Sequence, residues 1–127
     1  MNYSIRFETA RFDVTQEDEN PVNPIWGQSL LLWLKDKLAG QVRLDDPDVK
    51  DWGWYTTVEW NGRHYLLGAS AMEADADVYE WVFQVDKHRS FREKLHGREK
   101  MTRNDECLQF FKRLFDAESD FDNVAIE

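Results

Sequence analysis

The chain predicts an α+β fold: a mostly antiparallel sheet of four to five strands with two main helices packed on one face, in the order β-α-β-β-β-β-α. Three observations predict it. Asn61-Gly62 sits between two runs rich in β-branched and aromatic residues. Residues 3–8 and 78–85 alternate apolar and polar side chains. Residues 26–38 and 107–115 carry apolar residues at helical spacing.

The hairpin organises the rest. A two-residue type I′ turn needs positive φ at both central positions, which Asn tolerates and Gly adopts freely. With Asn61-Gly62 as the loop, Trp60 faces Arg63, Glu59 faces His64, Val58 faces Tyr65, and the pairing continues to Trp54 with Ala69. One face then carries Trp54, Thr56, Val58, Trp60, Tyr65, Leu67 and Ala69, and is assigned to the core. The other carries Tyr55, Thr57, Glu59, His64, Leu66, Gly68 and Ser70 and is partly wet.

Along the chain, residues 2–9 form a strand with Tyr3, Ile5 and Phe7 on one side. Residues 11–21 read as a polar loop, with 16–20 solvated. Asn23-Pro24 carries the cap and first-turn signals of a helix, and Gly40 those of its end. Its stripe is Trp26, Leu30, Trp33, Leu34 and Leu38. A short strand is expected at 41–44, then an acidic loop at 45–51. Residues 73–77 form an acidic turn, and the strand at 78–85 points Tyr79, Trp81, Phe83 and Val85 to one face. A short helix is expected at 88–95, held by Phe91 and Leu95, with Gly97 ending it. Thr102 and Asp105 suggest the cap of a helix at 103–117 with a stripe of Cys107, Leu108, Phe110, Phe111, Leu114 and Phe115. A last short strand is expected at 123–126.

At 127 residues the chain is expected to be one domain, spanning 1–127. Six Trp, eight Phe and four Tyr supply a core without covalent staples. The net charge of −9 argues against nucleic-acid and anionic-membrane binding and leaves room for a basic protein partner. The charge is uneven: residues 86–103 carry an excess of +4, leaving −13 elsewhere. The N-terminal residues lack an apolar signal core, and the longest apolar run, residues 30–34, is too short to cross a bilayer. A soluble, cytoplasmic protein is therefore expected.

No phosphate loop, nucleophile elbow, zinc-protease motif or EF-hand loop is present. One cysteine, Cys107, lies on a helical apolar stripe and reads as a buried thiol, since a reactive one needs a basic neighbour. No cofactor or metal is expected. Asp45, Asp46, Asp48 and Asp51 lack the glycine and the terminal glutamate of a calcium loop.

The candidate ligand or partner face is Tyr55, Glu59, His64, Glu80, Gln84 and Trp52. A His oriented by a carboxylate can act as a general base, but Ser70 stands about 20 Å along the ladder, too far to be its nucleophile. The plainer reading of Glu59 and His64 is a cross-strand polar pair on a wet face, contributing about 0.2–1 kcal/mol. Trp52 reads as a lid at the core's edge or an interface anchor. Arg89, Arg92 and Arg98 form a basic patch that either binds an acidic group or pairs with the protein's own acids.

These features favour a non-catalytic protein-binding or regulatory module of inhibitor or immunity type. The alternative is a small ligand-binding or hydrolytic domain using the sheet face around His64 and Glu59. A homodimer through an exposed face or edge is a third expectation.

Overall fold

The computed structural model describes residues 3–127. Alternating side chains and local turn chemistry generate one six-stranded sheet. Its strands are β1 (Tyr3–Thr9), β2 (Asp48–Lys50), β3 (Gly53–Trp60), β4 (Arg63–Asp75), β5 (Val78–Lys87) and β6 (Asp122–Ile126). Their order is β2-β3-β4-β5-β1-β6, with antiparallel neighbours throughout. Among the described residues, three α-helices complete the fold, α1 (Gln28–Lys37), α2 (Phe91–Leu95) and α3 (Glu106–Asp116), with a 3-10 turn at Val14–Gln16.

The hairpin has the register its turn demands, from Trp60 with Arg63 to Trp54 with Ala69. Asn61 and Gly62 both have positive φ, 50° and 78°. β4 continues beyond the end of β3 and pairs with β5, which pairs with β1. The N-terminal strand thus lies inside the sheet, flanked by β5 and the C-terminal β6. The sheet has six strands rather than four to five because both β2 and β6 join it. The expected strand start at Asn2 lies outside the described residues.

Ile5, Phe7, Trp54, Val58, Leu67, Trp81, Phe83 and Val85 are buried on one face. Against them α1 contributes Leu30, Leu31 and Leu34, and α3 contributes Cys107, Leu108, Phe111 and Phe115. Phe83 contacts Phe111 and Phe115 at ring-centroid distances of 5.0 and 5.2 Å, and Phe7 stacks on Phe121 at 4.4 Å. Removing each such side chain from water contributes about 1.5–3 kcal/mol. No helix among the described residues is long and apolar enough to cross a membrane.

Several elements depart from the sequence reading. The first helix begins at Gln28, not at Asn23-Pro24. Residues before it run along the sheet instead, where Ala71 N donates to Trp26 O at 2.9 Å. Trp26 is consequently 37% exposed, while Leu31 joins the core. The cap comes from upstream: Glu17 accepts from the backbone N–H of Gly27 at 2.9 Å and of Ser29 at 3.0 Å. A carboxylate at a helix N-terminus satisfies free donors and the helix dipole together.

Residues 16–20 are therefore not simply solvated. Asn20 is buried, and its amide donates to the carbonyls of Lys50 and Gly53. The strand expected at 41–44 is reduced to a bridge between Leu44 and Val58, and the edge strand forms at Asp48–Lys50. α3 begins at Glu106, not 103, because Asp105 itself is the cap, accepting from the N–H groups of Cys107 and Leu108. Trp60 is half-buried rather than core.

Candidate functional site

The helices cover one face of the sheet; the other carries none. Its side chains follow from the register. One row across the strands is Tyr55, Gly68, Gln84 and Ser4. Another is Ser70, Val82 and Arg6, and a third is Met72, Glu80 and Glu8. Trp52 lies on this face. Its indole fills the space above Gly68, where a Cβ would stand 2.4 Å from Cη2. The expected lid on the core is thus a cover on the opposite side, and Gly68 is the residue that admits it. Lys50 Nζ sits 4.9 Å from the Tyr55 ring centroid.

The candidate face divides into two ends. Glu59 and His64 are cross-strand partners beside the hairpin turn. Glu80 pairs with Met72, eight residues further along β4 than His64, or about 27 Å. Tyr55, Gln84 and Trp52 lie between, so the six candidates share a face without forming one site.

At the hairpin end, Glu59 and His64 are exposed and border an open recess of about 820 Å³, with Gln41, Arg43, Asp45 and Trp60 among its other walls. Glu59 and His64 form no ion pair with each other among the described residues. The recess can hold a polar ligand, but the pair lacks the contact that orients a general base.

At the other end a groove of about 380 Å³ is lined by Pro24, Ile25, Trp52, Met72 and Val82, with Arg6, Glu73 and Glu80 also lining it. Met72 is 63% exposed. Arg6 pairs with Glu80 and with Glu127 at 2.9 Å. At and beyond the groove's rim, Glu73, Asp75 and Asp77 at the β4–β5 turn are exposed and take part in no ion pair among the described residues.

The basic patch does not converge on a ligand site. Arg89 is turned inward, donating to the carbonyl of Arg98 at 3.0 Å and of Glu93 at 3.4 Å. Arg92 and Arg98 remain exposed. The short helix expected at 88–95 forms at Phe91–Leu95, with Phe91 and Leu95 82% and 69% exposed. A capping box orders α2, with Ser90 and Glu93 bonding each other's backbone. The spacing Ser90-x-x-Glu93 is readable in the sequence and was the missed signal.

A second missed constellation joins α2 and α3 to the hairpin. Arg63 pairs with Glu93 at 2.7 Å, and Lys87 with Glu99 at 3.0 Å and Asp105 at 3.7 Å. Tyr65 Oη donates to Asp105 Oδ2 at 2.8 Å. Arg63, with the Ser90 backbone N–H, holds Glu93 down at about 2. Burial, reinforced by the bond to Asp105, pushes the Tyr65 phenol up. Burial and then the charge of Asp105 push the Cys107 thiol up, which makes it a poor nucleophile. In the folded sheet Tyr65 stands opposite Lys87. Asp105 is reached only by tertiary folding. This cluster pairs two cations with three carboxylates and ties α2 and α3 to the hairpin.

Among the described residues, no group of three or more His, Cys, Asp or Glu is arranged to hold a metal ion. Asp45 and Asp46 separate, toward Thr57 and Lys35 respectively.

No protein-family model, curated protein or solved structure matches the chain.

Proposed function

We propose that the protein is a non-catalytic protein-binding or regulatory module that takes a basic partner on its uncovered sheet face. The observation that carries this reading is the groove beside Trp52 and Met72, next to the unneutralised carboxylates of Glu73, Asp75 and Asp77. Aromatic and Met side chains supply anchoring area, and unpaired acids around them select a cationic segment and speed its approach. An inhibitor or immunity role against a basic protein is one form of this function.

Capture experiments with the full chain test it. Wild type should retain a basic protein from its native cells. Met72→Lys/Glu73→Lys should lose it, because the variant places two cations where the partner's cations sit. Capture unaffected by that variant, or no partner despite repeated trials, would discard the proposal. Both positions are exposed, so the substitutions leave the core intact.

A second reading is favoured by the recess at Glu59 and His64, whose volume suits a small polar ligand. Amide NMR shifts confined to residues 57–64 during a screen of small carboxylates and amines would support it. Their absence, together with unchanged spectra for His64→Ala, would remove it.

A further inference from the structure

Among the described residues, the most exposed apolar side chains lie at opposite ends of the sheet, in surroundings of opposite charge. At one end is the Met72 groove beside Glu73, Asp75 and Asp77. At the other, α2 presents Phe91 and Leu95 one turn apart, 82% and 69% exposed. Arg92, Lys94, Arg98 and Lys100 lie on the same segment; all are exposed, and none is in an ion pair among the described residues.

The α2 projection is built rather than loose. The Ser90–Glu93 capping box closes its first turn, Arg63 clamps Glu93, and Arg89 bonds two carbonyls across it. Ordering an exposed Phe–Leu pair in this way lowers the entropy lost when it docks. An ordered apolar pair left in water marks a contact surface.

The chain cannot satisfy itself. β5 runs from Val78, beside the acidic turn, to Lys87, just before α2. Its ten residues span about 33 Å, so α2 of one molecule does not reach the groove of the same molecule.

We propose that the occupant of the groove is α2 of a second copy. Phe91 and Leu95 dock against Met72, Val82 and Trp52, while the cations of that segment face Glu73, Asp75 and Asp77. The contact is heterologous, so copies add head to tail. It is small, so association is weak and reversible. The inference rests on the groove assigned above to a partner, but it needs no partner, and a basic partner would compete with it.

Sedimentation equilibrium at up to about 1 mM protein tests it. Wild type should show a mass that rises with concentration and falls when salt near 1 M shortens the screening length to about 3 Å. Phe91→Ser/Leu95→Ser, which spoils the projection, should stay monomeric. Met72→Lys/Glu73→Lys, which spoils the groove, should stay monomeric too. An equimolar mixture of the two variants should form dimers and stop there, because each supplies one intact end. A monomeric wild type, either variant associating like wild type, or a mixture that stays monomeric would overturn the proposal. A basic partner captured by Phe91→Ser/Leu95→Ser but not by Met72→Lys/Glu73→Lys would keep the partner site even then, so the two proposals fail separately.

Discussion

Phe83 and Gln84 are chain neighbours on β5, yet they experience different solvents. Phe83 is fully buried against Phe111 and Phe115, while Gln84 stands half-buried in a row with Gly68 and Ser4. The same contrast holds along β4, where Tyr65 and Leu67 point to the helices and His64 and Leu66 do not. The covered face is stabilised by apolar area and close packing. The uncovered face keeps polar and partly exposed side chains, with Arg6 paired to Glu80 and Trp52 laid over Gly68. Period-two alternation places a buried and an uncovered face on the same strands without forcing them to share residues.

The largest expected effect tests that division. Phe83→Ala should cost about 3–5 kcal/mol in urea unfolding, because the helices cannot collapse into the cavity. Val82→Ala, one residue away, should cost less than about 1 kcal/mol. Similar losses at the two positions would break the comparison.

Next is the polar exception on the covered face. Tyr65→Phe leaves the buried Asp105 carboxylate without its phenolic donor and should cost about 1.5–3 kcal/mol. A neutral result would show that Lys87 and the α3 N–H groups suffice for Asp105.

Gly68→Ala probes the open face. The new Cβ must displace the Trp52 ring, but a strand tolerates alanine, so net stability should change by less than about 1 kcal/mol. The readout is fluorescence: Trp52 should become more solvated and its emission move to the red. Unchanged emission would mean that the indole does not rest on Gly68.

The smallest effect is confined to acid. The folded pKa of Glu93, about 2, lies below its ordinary value of 4.5. Its stabilisation is therefore complete above about pH 4.5 and disappears as pH falls toward 2. The stability difference between wild type and Glu93→Gln, measured by urea unfolding at successive pH values, should shrink across that interval. A difference independent of pH would show that Glu93 acts through something other than its charge. Glu99, held down by Lys87, should contribute to the same acid limb.

How much was legible varied with the range of the interaction. Asn61-Gly62 gave the complete hairpin pairing because a two-residue loop admits one register. Stripes such as Cys107, Leu108, Phe111 and Phe115 identified the buried side of α3. Glu17 and Asn20, by contrast, sit in a run of polar residues that reads as solvated. Their partners, Gly27, Ser29, Lys50 and Gly53, are up to 33 residues away, and no local pattern announces them. Phe91 and Leu95 show the reverse limit: helical spacing places two side chains one turn apart but does not say whether anything covers them. In the candidate site, Glu59 and His64 were correctly paired. Glu80 was displaced to the far end because the register between β4 and β5 cannot be read from either strand alone.

By itself the sequence determined the α+β class, the hairpin register and which residues of most strands share a face. These depend on backbone geometry and on spacings of two to four residues, which are local properties of the chain. Tertiary structure decided that β1 lies between β5 and β6, that Glu17 starts α1, that Tyr65 meets Asp105, and that one face stays open with an acidic groove at one end and α2 at the other. Those outcomes depend on which distant segments compete for the same surface, a free-energy balance that no single stretch of sequence contains.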